Sequence, residues 1–152
     1  MPVHQETREV PYTARQMFDL VADIERYPDF IPWCQALRVR DDKRVEGVGE
    51  ITADMVVRYK LFLEQFRSLV FVDPRSLHVS ADYLQGPIKK LHNRWKFQDL
   101  PAGGSTIDFY IDFEFRNRLL QRIAEEVFDR AFVKMSDAFI NRAHAIYPAP
   151  DQ

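Results

Sequence analysis

Cysteine occurs once in this chain of 152 residues, as Cys34. A disulfide within the chain is therefore excluded, and a reducing compartment is expected. No uninterrupted apolar run reaches the ~18 residues of a membrane span. The N-terminus, Met-Pro-Val-His-Gln-Glu, lacks the basic and apolar pattern of a signal peptide. His4, His78, His92 and His144 are scattered without metal-ligand spacing, which argues against a zinc site. No nucleophile-elbow or phosphate-loop pattern occurs, and Gly103-Gly104 reads as turn chemistry. A formal net charge of −2 argues against generic binding to DNA or other nucleic acid. There is no internal repeat, linker or low-complexity segment. These absences predict one soluble, cytoplasmic domain over residues 1–148 with a short tail at 149–152, and no cofactor or metal.

Aromatic residues are plentiful. They make up 13% of the chain, with 12 phenylalanines, and imply a large apolar interior or a cavity. The C-terminal region predicts one long helix over 117–147, some ~45 Å in length. Leu120, Ile123, Ala124, Val127, Ala131, Met135 and Ala138 recur at three- and four-residue spacing and predict its buried face. Phe128, Phe132 and Phe139 widen that face, and Arg122, Glu125, Glu126, Asp129, Arg130, Val133 and Asp137 form the other, mostly charged side. Asn117 is the expected N-cap, and Pro148 ends the pattern. The small residues Ala124, Ala131 and Ala138 admit two readings: close helix packing, or room for a guest.

Ahead of that helix the pattern is mostly strand. Residues 3–10 predict a first strand, and Thr13 caps a helix through Met17, Phe18, Val21 and Ala22. A second short helix from Ile24 is expected to end near Tyr27, before Pro28. Strands follow at about 36–40, 47–57, 61–72 and 77–83. The last hairpin is the clearest. Leu91, Asn93, Trp95 and Phe97 alternate with His92, Arg94, Lys96 and Gln98, and Ile107, Phe109, Ile111, Phe113 and Phe115 alternate with Asp108, Tyr110, Asp112 and Glu114. A register centred on Gly103 sets Arg94 against Asp112, His92 against Glu114, Trp95 against Ile111 and Phe97 against Phe109. The sheet then has one charged face and one apolar face, and the long helix covers the apolar one. The fold class is α+β: a curved antiparallel sheet gripping a long C-terminal helix, with two short N-terminal helices.

No catalytic constellation emerges. Asp112 and Glu114 share a strand face, but basic residues across the hairpin make them surface ion pairs. Cys34, beside Pro32 and Trp33, reads as a small buried hydrophobe. What remains is apolar volume between sheet and helix. Phe30, Trp33, Trp95, Phe109, Phe113, Phe128, Phe132, Met135 and Phe139 converge there, either as solid core or as the wall of a cavity for a flat, greasy ligand. Tyr27, Cys34, Tyr83 and Asn93 are the candidate hydrogen-bonding groups at its rim. Asn93 is the sharpest, because the alternation turns its amide inward, where it needs a partner. The stretch 55–63 is too apolar for an ordinary turn; it either touches a membrane surface or a partner, or is buried by its own strands. The loop 84–90 is a lid or a plain connector.

One connector is unusual. Arg26-Tyr27-Pro28-Asp29-Phe30-Ile31-Pro32-Trp33-Cys34 resembles the signature loop of the coenzyme Q-binding START-domain family. Gly86-Pro87-Ile88-Lys89-Lys90-Leu91 followed by Trp95-Lys96-Phe97, and Ile111-Asp112-Phe113-Glu114-Phe115-Arg116 running into the last helix, are similar to its later strands. The resemblance runs nearly end to end. It implies a helix-grip fold with a deep apolar cavity, and so favours cavity over solid core. It further implies a non-enzymatic binder of ubiquinone or a similar isoprenoid lipid, acting as carrier or chaperone in respiration, peripheral at the inner membrane. Bacterial relatives carry the label of ribosome-association toxins, which makes the ribosome the alternative partner. Lys89, Lys90, Arg94 and Lys96 are the basic cluster for that role. The same superfamily includes aromatic polyketide cyclases; for that least favoured reading, Asn93, Tyr83 and Asp108 are the candidate acid or orienting groups.

Overall fold

Period-two alternation builds seven strands; six turn apolar side chains to one face, and the first, Val3–Val10, turns His4, Glu6 and Arg8 there. The computed structural model describes residues 3–59, 62–86 and 88–148, apart from the side chains of Tyr59, Phe62 and Phe128. The strands are β1 (Val3–Val10), β2 (Cys34–Asp42), β3 (Gly49–Tyr59), β4 (Phe62–Asp73), β5 (His78–Gln85), β6 (Ile88–Asp99) and β7 (Ser105–Phe115). They form one antiparallel sheet in the order β1-β7-β6-β5-β4-β3-β2. Helix α1 (Ala14–Ala22) and a 3₁₀ turn (Ile24–Asp29) link β1 to β2, and helix α2 (Arg118–Ile146) follows β7. This is the helix-grip fold expected from the sequence. The predicted tail at 149–152 lies outside the described residues.

Local chemistry explains the element ends. Thr13 and Gln16 form a reciprocal capping box, with the Thr13 hydroxyl accepting from the Gln16 amide and the Thr13 amide donating to Gln16 Oε1. Asp99 accepts from the Ala14 amide at 2.8 Å and ties α1 to β6. The 3₁₀ turn runs on through Pro28 instead of stopping at Tyr27. Its closing bonds, Arg26 to Asp23 and Phe30 to Tyr27, ask no donor of the proline.

The last hairpin departs from the expected register by two residues. Trp95 faces Phe109, Phe97 faces Ile107, Arg94 faces Tyr110, His92 faces Asp112 and Lys90 faces Glu114. The turn is asymmetric: Asp99 and Ser105 close the ladder, and Leu100 bonds both Gly103 and Gly104. Gly104, at φ +77°, presses its α-carbon against the Val10 carbonyl, where no β-carbon fits. A shift of two residues keeps every side chain on its own face. The division into a charged face and an apolar face therefore holds, although the partners change.

Asn117 caps α2, its side-chain oxygen accepting from the Leu119 and Leu120 amides at 2.9 and 3.1 Å. Along one side, α2 is laced to inward-facing polar residues of edge strand β1 and to Tyr12 just after it. His4 Nδ1 lies 3.0 Å from Asp129, Arg8 lies 2.6 Å from Asp137, the Ser136 hydroxyl donates to Glu6, and Tyr12 meets His144 at 2.5 Å.

The apolar stripe of α2 behaves differently in its two halves. Met135, Phe139 and Ala143 are buried, whereas Leu120, Ala124, Val127 and Ala131 are only partly covered and Ile123 is 50% exposed. The expectation of one continuous buried stripe is corrected here, and the cause is the hollow beneath the first half of the helix.

A candidate ligand cavity

The concave sheet and the N-terminal half of α2 touch at the edges, through His4–Asp129 and the Phe115 amide to Gln121, and draw apart between these contacts. Between them lies a cavity of about 640 Å³, lined by the inner faces of β2 to β7, by α2, and by the 3₁₀ turn and the loop after it. Leu120, Ala124, Val127 and Ala131 form its helical wall. Of the three stripe alanines, Ala124 and Ala131 open onto the space and Ala138 does not.

Its closed end is aromatic. Trp95 stacks on Phe109 with ring centroids 4.2 Å apart, and Phe139 meets Trp95 edge-on at 5.0 Å. Tyr27 and Phe30 then close on Phe139 at 5.2 and 5.1 Å. Such contacts add about 0.5–1.5 kcal/mol each beyond area burial and hold the end rigid.

The structure brings together Tyr27, Trp33, Asn93, Trp95, Phe113, Phe132, Met135 and Phe139 around this space. It leaves out three of the predicted residues. Phe109 is fully buried behind Trp95. Phe30 lies on the far side of Phe139, beneath the Arg142 guanidinium. Tyr83 turns its hydroxyl to the Gly86 carbonyl and pins the β5–β6 connection. The Phe128 side chain is outside the described residues.

Polar groups on the lining are few. Asn93 does point inward, as the alternation required, and neither its amide nor the Ser68 hydroxyl is hydrogen-bonded among the described residues. The indole N–H of Trp33 is also buried without a partner. Glu64 faces the cavity near the open end. Ser68 and Glu64 escaped the sequence reading, although the alternation Glu64, Phe66, Ser68, Val70 placed them on the inner face.

Tyr27 and Cys34 are not free to serve a ligand. The Tyr27 hydroxyl donates to the Val21 carbonyl, and burial first, then the nearby Cys34 and Asp23, hold its ionisation far above the usual range. Burial pushes the Cys34 thiol up to about 12, so it stays protonated and unreactive. Asp108, weighed as a catalytic group, lies on the outer face and accepts from Thr7 at 2.7 Å.

The open end has a clear position. Leu63 on β4 and Ile123 on α2 both line the cavity, and each is 50% exposed. The β3–β4 hairpin, the β5–β6 connection and the start of α2 all lie at this end of the sheet. Of the stretch 55–63, Met55 and Val57 face the cavity and Leu63 borders its mouth. Residues 60 and 61 lie outside the described residues.

Sheet, helix and hollow define a START-like helix-grip protein. A family model described as polyketide cyclase / dehydrase and lipid transport matches residues 10–140. The chain belongs to that family. It is 33% identical over 149 residues to the ribosome association toxin RatA of Escherichia coli K12, with 98% of this chain and 91% of that protein covered. It is 31% identical over 149 residues to the mitochondrial coenzyme Q-binding protein COQ10 homolog B of Xenopus laevis, covering 95% of this chain and 59% of that protein. Among solved structures, the Zhui aromatase/cyclase of Streptomyces sp. R1128 superposes with a TM-score of 0.84 over 97% of this chain and 96% of that one. At 17% identity this likeness is one of fold alone. No described helix is long and apolar enough to cross a membrane.

Proposed function

We propose that this chain binds ubiquinone or a closely similar isoprenoid lipid without transforming it, as a carrier or chaperone serving respiration or quinone synthesis. The observation that carries this reading is a large apolar cavity whose polar lining is nearly all unspent. A volume of about 640 Å³ lies within the usual ~300–1,000 Å³ of ligand sites. The Asn93 amide and the Ser68 hydroxyl supply donors for the carbonyl oxygens of a ring, and Trp95 and Phe139 supply apolar faces. Each ~100 Å² of apolar ligand surface buried contributes about 2.5 kcal/mol before the cost of association. Among the described residues no acid–base pair faces the closed end: Tyr83 is tied to Gly86 and Asp108 lies outside. The similarity to a coenzyme Q-binding protein supports the choice of ligand.

The test is lipid extraction from purified protein followed by mass spectrometry. A quinone is expected in wild type and its loss in Phe132→Glu, which puts a carboxylate into the apolar wall. Undiminished retention by Phe132→Glu would remove the helix-lined site from consideration.

A second reading, binding to the ribosome, rests on the likeness to the ribosome association toxin. Its expected basic footprint is weakened. Lys90 pairs with Asp112 at 2.6 Å, Lys89 with Glu114 at 3.6 Å, and Arg94 lies over the Tyr110 ring. A salt-dependent effect on subunit joining, lost on charge reversal at Lys89 and Lys90, is what this reading requires.

A further inference from the structure

The open end of the cavity carries a surface of its own. Four arginines stand there without an ion-pair partner among the described residues: Arg58 at the end of β3, and Arg116, Arg118 and Arg122 at the start of α2. All four are exposed. Among them lie the most exposed leucine and isoleucine of this end: Leu119 is 66% exposed, and Ile123 and Leu63 are 50% exposed. Register places Arg58 directly opposite Leu63 on the β3–β4 hairpin. On α2, Leu119 and Ile123 stand one turn apart, with Arg118 and Arg122 each immediately before them. The carboxylates nearby are Glu64, which faces the cavity, Glu114, paired with Lys89, and Glu125 and Glu126 on the next turn of α2. Cations predominate at the rim itself, although the chain as a whole carries a formal charge of −2.

This pairing of groups has a specific fit. Exposed aliphatic side chains are poor partners for water and for a sugar-phosphate backbone, but they insert into the boundary between lipid headgroups and acyl chains. Arginines beside them meet phosphate groups at the depth where their stems remain in apolar surroundings. The positive end of the α2 dipole lies on the same rim and adds to the attraction. We propose that the rim formed by the β3–β4 hairpin and the first two turns of α2 docks on an anionic bilayer surface, with Leu63, Leu119 and Ile123 inserted and Arg58, Arg116, Arg118 and Arg122 on lipid phosphates. Leu63 and Ile123 also line the mouth of the cavity, so docking is read on vesicles that carry no quinone.

The experiment is co-sedimentation with quinone-free vesicles, one set of phosphatidylcholine and one containing about a third phosphatidylglycerol. Wild type is expected on the anionic set, with weaker binding at high salt. At about 1 kcal/mol for each basic residue near such a surface, R116Q/R118Q/R122Q should lower partitioning ~100-fold. L119S/I123S should lower it ~10-fold or more at unchanged charge. All five positions are exposed, so an unchanged circular dichroism melt will show that the fold is intact. Failure of wild type to bind anionic vesicles overturns the proposal. So does full binding by L119S/I123S, which would leave electrostatics alone, and so does an arginine variant that loses ribosome binding while keeping vesicle binding. A protein that docks but carries no quinone refutes the ligand assignment and leaves the surface standing. One that carries quinone but ignores vesicles does the reverse.

Discussion

Replacing Ala131 by phenylalanine tests whether the cavity is truly empty space. Ala131 lies on the helical wall, between the Phe132 and Val127 positions that also face the hollow. In a solid core the added ring would collide with its neighbours and destabilise the fold by about 1–3 kcal/mol. Over a void of about 640 Å³ it meets no such resistance. Burying a phenyl group there contributes about 1.5–3 kcal/mol, less ~0.5 kcal/mol for the poorer helix propensity of phenylalanine. A net gain of ~1–2 kcal/mol raises the melting temperature of a chain this size by about 2–8 °C. The assay is thermal unfolding of lipid-stripped protein, followed by quinone titration of the same samples. The expected result is a variant that is more stable empty and binds less well. A lower melting temperature for stripped Ala131→Phe would mean that the helix already sits on protein atoms, and the carrier reading would fail with it.

Other consequences follow from single features. Arg67 first, and Arg40 with it, hold the Asp54 carboxyl down at about 2, against an ordinary ~3.9. A depressed carboxylate contributes stability that is complete above the unfolded value and lost as pH falls from about 4 to about 2. Asp54→Asn should therefore lower stability at pH 7 and flatten the acid limb of a pH–melting curve; an unchanged limb would deny Asp54 that role. Asn93→Leu should leave or raise the stability of stripped protein, because it removes an unpaired amide from an apolar wall. The same change should weaken quinone binding ~3–10-fold, as loss of one hydrogen bond does, while sparing a plain hydrocarbon ligand. Gly104→Ala forces a β-carbon against the Val10 carbonyl at positive φ and should cost about 1–3 kcal/mol, seen as a lower denaturation midpoint at unchanged slope. Amide hydrogen exchange should be faster across 118–131 than across 135–146, since only the second half of α2 is backed by buried side chains; equal protection would contradict the split.

Much of this was legible because strong local signals agreed with the tertiary outcome. Thr13 and Asn117 are capping residues with the right followers, and they cap α1 and α2. The four middle strands lie where turn residues bounded them, with ends within two residues of expectation. Asn93 was found because a polar residue broke an apolar alternation, and it faces the cavity. The misses have physical causes too. The register of the β6–β7 hairpin depends on how Leu100 closes the turn and on the fit of Gly104 against Val10, a contact from 94 positions earlier in the chain that composition cannot show. Phe30 and Phe109 carry the same apolar signal as Phe132 and Phe139. Only the packing tells that they support the wall from behind instead of facing the space. The distinction between a wall and a core is a matter of what is missing opposite the side chain, and sequence does not record it.

A hollow of this size also bears on how the protein exists in the cell. Cavities left in apolar cores cost about 24 cal/mol per Å³, which for ~640 Å³ is ~15 kcal/mol if carried over unchanged. Even a third of that is comparable to the whole net stability of an ordinary domain. The fold has answered by concentrating its adhesion elsewhere. Phe139 is clasped by three rings, α1 is cored by Met17 and Phe18, and α2 is laced to β1 by His4, Glu6 and Arg8 and to the following loop by Tyr12. The N-terminal half of α2 is left with a cap, ties from the Phe115 amide to Gln121 and from His4 to Asp129, and an apolar underside facing space. Such a half-helix is the part with most to gain from a guest. A bound lipid should raise the melting temperature with ligand concentration, as any ligand of the folded state does, and should slow amide exchange chiefly across 118–131. Protection that instead rose evenly over the sheet, or not at all, would place the ligand outside this cavity.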